Sequence, residues 1–184
     1  MPLPDGLLAD PARLAVWLPV GPDDPKLLEA LRAASSRFAG AVRHPVRLVT
    51  NVEVTLYGDC TDRLLLPVAP VVRVVSVTVD GTALAAGTQY KVRRDAGVLR
   101  RIGDVWPDWA EIVIVLDHGY DPIPDDVQEV VIDQARTIFR VQPGVQTIQA
   151  GGEAITYGAT AAVGVTSQWT AAVEKYRLNR GDSP

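Results

Sequence analysis

Two hydrophobic periods divide the chain. Over residues 25–39 the apolar positions Leu27, Leu28, Leu31, Ala34 and Phe38 recur at helical spacing, with Asp24 as cap, Pro25 in the first turn and Gly40 near the stop. A shorter stretch, PARLAVWL at 11–18, predicts a helix capped by Asp10, with Pro11 at its first position. From 46 to 117 the period falls to two. VVRVVSVTVDG (71–81) sets Val75, Val77 and Val79 against Ser76 and Thr78 and ends in the turn pair Asp80-Gly81. TQYKVRR alternates Tyr90 and Val92 against Lys91 and Arg93, and Asp95-Ala96-Gly97 turns it into VLRRI. EIVIVLD (111–117) is continuously apolar, the pattern of a strand covered on both faces. Helical spacing then returns at 125–140 and again at 167–178, the second capped by Thr166 or Ser167.

This succession predicts an α+β fold: a small helical core, an antiparallel sheet or open sandwich inserted into it, and a C-terminal arm plus helix. Residues 1–142 would form the core, 143–166 an extended arm, and 167–184 the last helix and tail. The stretch 145–166 is rich in Gly, Ala and Thr and carries Glu153 as its one charge, which suits neither a solvated linker nor a core helix. Val75, Val77, Val79, Ile112, Ile114, Val130 and Ile138 are the expected core.

Composition narrows the function. With 184 residues the chain suffices for one domain with an appendage, and a net charge of −4 disfavours a dedicated nucleic-acid binder. No run of about 18 apolar residues predicts a membrane span, and no export signal is evident. A single cysteine, Cys60, excludes an internal disulfide and a CxxC metal pair.

The densest candidate chemistry is LDHGYDPIPDDV at 116–127, with Asp117, Asp121, Asp125, Asp126 and one of the two histidines. Its spacing fits no calcium loop, and two prolines stiffen it. Read as a joint, the stretch is explained residue by residue. Asp117 ends a strand, Gly119 allows a turn, Pro122 and Pro124 hold an extended entry, and Asp125 or Asp126 caps the next helix. His44 in RHPVR stands beside no nucleophile motif, and no HExxH, phosphate loop or dinucleotide fingerprint occurs. Neither catalysis, metal nor cofactor is therefore expected. The cluster Lys91, Arg93, Arg94, Arg100 and Arg101 places five cations on one hairpin, either as a solvated face or as a contact with something acidic.

The phrases DDPKLLEALRAASSRF, LLLPVAPVVRVVSVTVDGTAL, QYKVRRDAGVLRR, IVIVLDHGYDPIPDDVQEVVIDQA and VEKYRL follow one another in an order that resembles the head–tail connector (adaptor) proteins of long-tailed bacteriophages. Leu66, Pro70-Val71, Val74, Val77, Asp80-Gly81, Tyr90, Val92, Gly97, Leu99, Gly119-Tyr120, Pro124 and Val127 match the recurrent layout over about 20–142. Leu116-Asp117-His118 departs from it, and 145–166 follows no pattern of that family. The resemblance implies a non-enzymatic virion protein of the neck, assembled in the host cytoplasm as a ring of about twelve copies. It would sit between the portal and the next neck, stopper or tail protein, with DNA passing through without specific recognition and no membrane involved. Around DNA, copies of net charge −4 should turn acidic or neutral groups inward. The five hairpin cations would then face outward or meet an acidic neighbour, at least two of them pairing across a subunit boundary. Glu153, Tyr157, Trp169 and Tyr176 complete the expected partner interface. Two other readings stand beside this one. One is a β-rich binding or adhesion module of a phage tail or secreted-type complex, using Trp106, Trp109 and Trp169 to stack on sugar. The other is a hydrolase built on the Asp/His joint.

Overall fold

The computed structural model describes residues 3–140, 147–150, 153–156 and 166–178, the two short central segments as backbone only. The fold is α+β and comprises two units. One is made of residues 1–42 and 123–177, the other of 43–122 with 178–184. One boundary therefore falls between Pro122 and Ile123, inside the stretch read above as a joint.

The first unit is built on four helices, α1 (Pro11–Ala15), α2 (Pro25–Val42), α3 (Asp125–Arg140) and α4 (Ser167–Tyr176). The Asp10 carboxylate accepts from the Ala12 amide at 2.8 Å, and that of Asp24 from the Leu27 amide at 3.0 Å, as the capping pattern predicts. α1 is shorter than expected, because Trp17 and Leu18 bond three residues back in tightened turns. α2 runs past Gly40 and stops where Arg43 adopts φ 67°, the left-handed conformation that ends many helices. Its buried stripe of Leu27, Leu31, Ala34, Phe38 and Val42 meets Val127, Val130, Val131 and Ala135 of α3. Ile138, expected in this core, is only half-buried near the helix end. α3 opens on the Pro124 carbonyl, which accepts from the Val127 and Gln128 amides. Asp125 and Asp126 thus lie in the first turn, where their charge suits the helix dipole, and neither is the cap. α4 is capped by the Thr166 hydroxyl, which accepts from the Trp169 amide at 3.1 Å. Between α3 and α4, Thr147–Ala150 (β8) and Glu153–Thr156 (β9) pair antiparallel. The rest of the expected arm, Tyr157 included, lies outside the described residues. Among the described residues no helix is long and apolar enough to cross a membrane.

The second unit holds β1 (Val49–Tyr57), β2 (Arg63–Leu65), β3 (Val71–Val79), β4 (Thr82–Ala83), β5 (Tyr90–Arg93), β6 (Val98–Arg101) and β7 (Glu111–His118). They form two antiparallel sheets, ordered β1-β7-β3-β4 and β2-β6-β5. One core joins them, including Leu66, Val77, Tyr90, Leu99, Trp106 and Ile114. The expectation for β3 needs correction. Two bulges, between Val71 and Arg73 and between Val74 and Ser76, reset the alternation. The inward positions become Val71, Val74, Val77 and the half-buried Val79, while Val75 is 48% exposed. β7 is covered less evenly than its apolar run suggests. Ile112, Ile114 and Leu116 are buried, but Val113 and Val115 on the opposite face are only half-buried.

Candidate interaction surface

Strand alternation sorts the basic cluster. Lys91 stands opposite Arg100, and Arg100 opposite Arg63 of β2, so three cations form one row across three strands. Like charges placed directly opposite are destabilising, and Asp62 relieves the row from one side, 2.8 Å from Arg100 and 3.9 Å from Arg63. Arg93 folds back on Asp95 at 3.3 Å and, by its hydrogen bond, holds that carboxyl below the usual range. Arg101 lies on the other face. Opposite Tyr90, its side chain is 11% exposed, sits 5.5 Å above the Trp106 ring and reaches Asp104 at 3.4 Å. The five cations therefore do not share one surface. Lys91, Arg93 and Arg100 are displayed outward, Arg94 is exposed in the turn, and Arg101 is a largely internal group. Lys91 and Arg94 have no ion pair among the described residues. Gly97 closes the hairpin with φ 62°, and a Cβ there would meet the Val68 carbonyl oxygen at 2.6 Å.

Sequence reasoning missed two features of this unit. Arg63 joins the cation row only through the pairing of β2 with β6, which local pattern does not disclose. Tyr57 and Trp109, 58% and 79% exposed, lie with ring centroids 6.4 Å apart. Trp109 holds φ 57°, which is rare for a bulky side chain.

The carboxylates of the joint serve separate partners. Asp117, next to last in β7, stands at the strand's end as expected and accepts from the Asn51 amide at 2.8 Å and Arg73 Nε at 2.9 Å. Asp125 pairs with Arg13 at 3.2 Å. Asp126 accepts from Lys175 Nζ at 2.7 Å and the Tyr176 hydroxyl at 2.8 Å. His118 is buried with no hydrogen-bond partner at Nδ1 among the described residues; burial, then the charge of His44, pushes its pKa down. The carboxylates of the joint and His118 thus face different surroundings. Trp106 is fully buried and Trp169 nearly so, which leaves Trp109 as the one exposed member of the proposed sugar-stacking trio. Trp169 packs edge-on against Phe38 at 5.3 Å, and Tyr176 is tied to Asp126, so both are engaged inside their own unit. Glu153 opens β9.

Asp117 carries a pH prediction. The Asn51 amide, and then Arg73, hold its carboxyl below the ordinary range against the opposing effect of burial. A group so lowered contributes stability above its unfolded pKa, lost as pH falls through the folded value. The Tm of Asp117→Asn should lie below that of the native chain at pH 7, and the gap should close below about pH 4. Melting curves across that range check this; a gap that widens in acid would refute it.

No protein-family model and no curated protein matches the chain. Solved structures do. A chain from the neck of a native gene transfer agent (GTA) particle, computed with C12 symmetry, aligns with TM-score 0.58 at 19% identity, covering 98% of this chain and 94% of that one. A chain from the neck of an empty GTA particle, computed with C6 symmetry, gives 0.61 at 20% identity with the same coverage. A chain from the virion of a native GTA particle gives 0.58 at 20% identity, again over 98% and 94%. The fold is shared along nearly the whole chain.

Proposed function

We propose that the chain is a structural neck protein of a phage-like particle. Copies assemble as a ring between the portal and the next neck or tail component, and the ring extends the channel through which DNA leaves. The observation that carries this is the shared fold over 98% of the chain with neck components solved under twelvefold and sixfold symmetry. The surface chemistry is compatible. Each copy brings a net charge of −4, so a ring would repel phosphates rather than hold them during exit. The hairpin cations serve contacts between proteins, and residues 143–166 act as an arm reaching a neighbouring copy or the portal. The ring is expected to contain twelve copies.

The test is to mix the purified chain with portal rings of the same particle and image the product. A second ring stacked coaxially on the portal is expected. In particles assembled without the chain, filled heads should lack tails. Normally tailed, infectious particles in its absence would overturn the proposal.

A further inference from the structure

A ring needs two different complementary patches on each copy, because a head-to-tail contact joins unlike surfaces. The sheet unit carries two such patches. The first is the exposed Tyr57–Trp109 pair. Trp109 keeps a left-handed backbone, fixed by its amide bonding to the Gly58 carbonyl at 3.0 Å, yet 79% of the residue faces solvent. A strained backbone that displays a large apolar ring gains little inside its own chain. Around the pair the charge has one sign. Glu111 stands opposite Tyr57, and Asp108 precedes Trp109. Both are exposed, and neither has an ion pair among the described residues. Residues 55–62 and 102–112, which build this end of the sheet, contain no Lys or Arg.

The second patch is the outer face of the β5–β6 hairpin. Its row of Lys91, Arg100 and Arg63 opposes like charges across adjacent strands, with Asp62 serving two of the three. Lys91 and Arg94 remain without a carboxylate partner among the described residues. An aromatic pair rimmed by carboxylates is the natural receptor for such cations, which stack on ring faces while pairing with the acids.

We infer that Tyr57 and Trp109, with Asp108 and Glu111, receive the Lys91 and Arg94 hairpin of a neighbouring copy. This rests on the ring reading and names the contact that repeats around it. The arrangement keeps acceptor and donor on one chain, so each copy uses both, and the repeated contact makes a ring where the rotation per copy closes.

Complementary charge reversal tests it. One variant carries Lys91→Glu and Arg94→Glu, the other Asp108→Lys and Glu111→Lys; all four sites are exposed, and unchanged melting curves confirm folding. Self-association is read by sedimentation and native mass at low salt. Each variant alone should associate at least about tenfold more weakly than the native chain. Their equimolar mixture should recover, because every contact then joins opposite charges in alternating copies. Association of either variant at native strength, or failure of the mixture to recover, overturns this contact. If the native ring survives both reversals, the contact is wrong and the ring stands. A native chain that stays monomeric, alone and on the portal, sinks both.

Discussion

Gly119→Ala is expected to be among the most damaging single substitutions in the sheet unit. Gly119 holds φ 102°, and an added Cβ would lie 2.3 Å from the Arg47 carbonyl oxygen and 2.9 Å from the Leu48 nitrogen. Those are backbone atoms, and they cannot swing aside as a side chain would. They are also pinned: Leu48 donates to Tyr120 at 3.0 Å, Tyr120 to Val46 at 2.8 Å, and Gly119 itself to Pro70 at 3.0 Å. Strain at such a φ costs about 1–3 kcal/mol, and forced displacement of packed atoms about 1–3 more. Together that is about 2–6 kcal/mol, against the roughly 5–15 that stabilises a typical folded protein. Gly81→Ala provides the control. Gly81 has φ 79° with nothing within 4 Å of its missing Cβ, so it reports backbone strain without the collision. The urea midpoint of Gly119→Ala should fall well below that of Gly81→Ala. Equal midpoints would show that the Arg47 contact yields without cost.

The same glycine marks what was legible in the sequence. Local signals announced it correctly as a turn, because the need for a residue without Cβ sits within a few positions. The caps at Asp10, Asp24 and Thr166 were legible for the same reason. What escaped was set by distant pairing. Val75 faces solvent because two bulges against β7 interrupt an alternation that looked regular in one dimension. The partners of the Asp117 carboxylate, the Asn51 amide and Arg73, lie 66 and 44 positions away, where no local pattern shows them. The candidate interface was half visible. The cations crowded into residues 91–101 stand out, and period two separates Arg101, inward with Leu99 and Tyr90, from the outward Arg100. Arg63 and the Tyr57–Trp109 pair needed the register of β2 with β6 and of β1 with β7.

Trp169→Ala should release the last helix without unfolding the rest. α4 is held by two kinds of contact. One is aromatic: Trp169 is 8% exposed, with its ring edge-on to Phe38 at 5.3 Å, and Tyr176 meets the same Phe38 ring by its edge at 6.5 Å. The other is polar, through Asp126 to Lys175 and Tyr176. Magnitudes decide between them. Truncating a buried tryptophan costs about 3–5 kcal/mol, whereas a partly exposed ion pair contributes roughly 0–1. Hydrogen exchange over 167–176 should therefore quicken roughly a hundredfold or more in Trp169→Ala, at about 1.4 kcal/mol per factor of ten, and only a few-fold in Asp126→Asn. Acid offers an independent check. Burial raises the Asp126 carboxyl, but bonds from Lys175 and Tyr176 outweigh it and leave it below the ordinary range. Its contribution is thus intact at neutral pH and fades only as pH falls below about 4. The modest acid release should vanish in Asp126→Asn and persist in Trp169→Ala, whose baseline exchange is already fast. If Asp126→Asn frees the helix more than Trp169→Ala does, the polar contacts are the true anchor and this ranking fails.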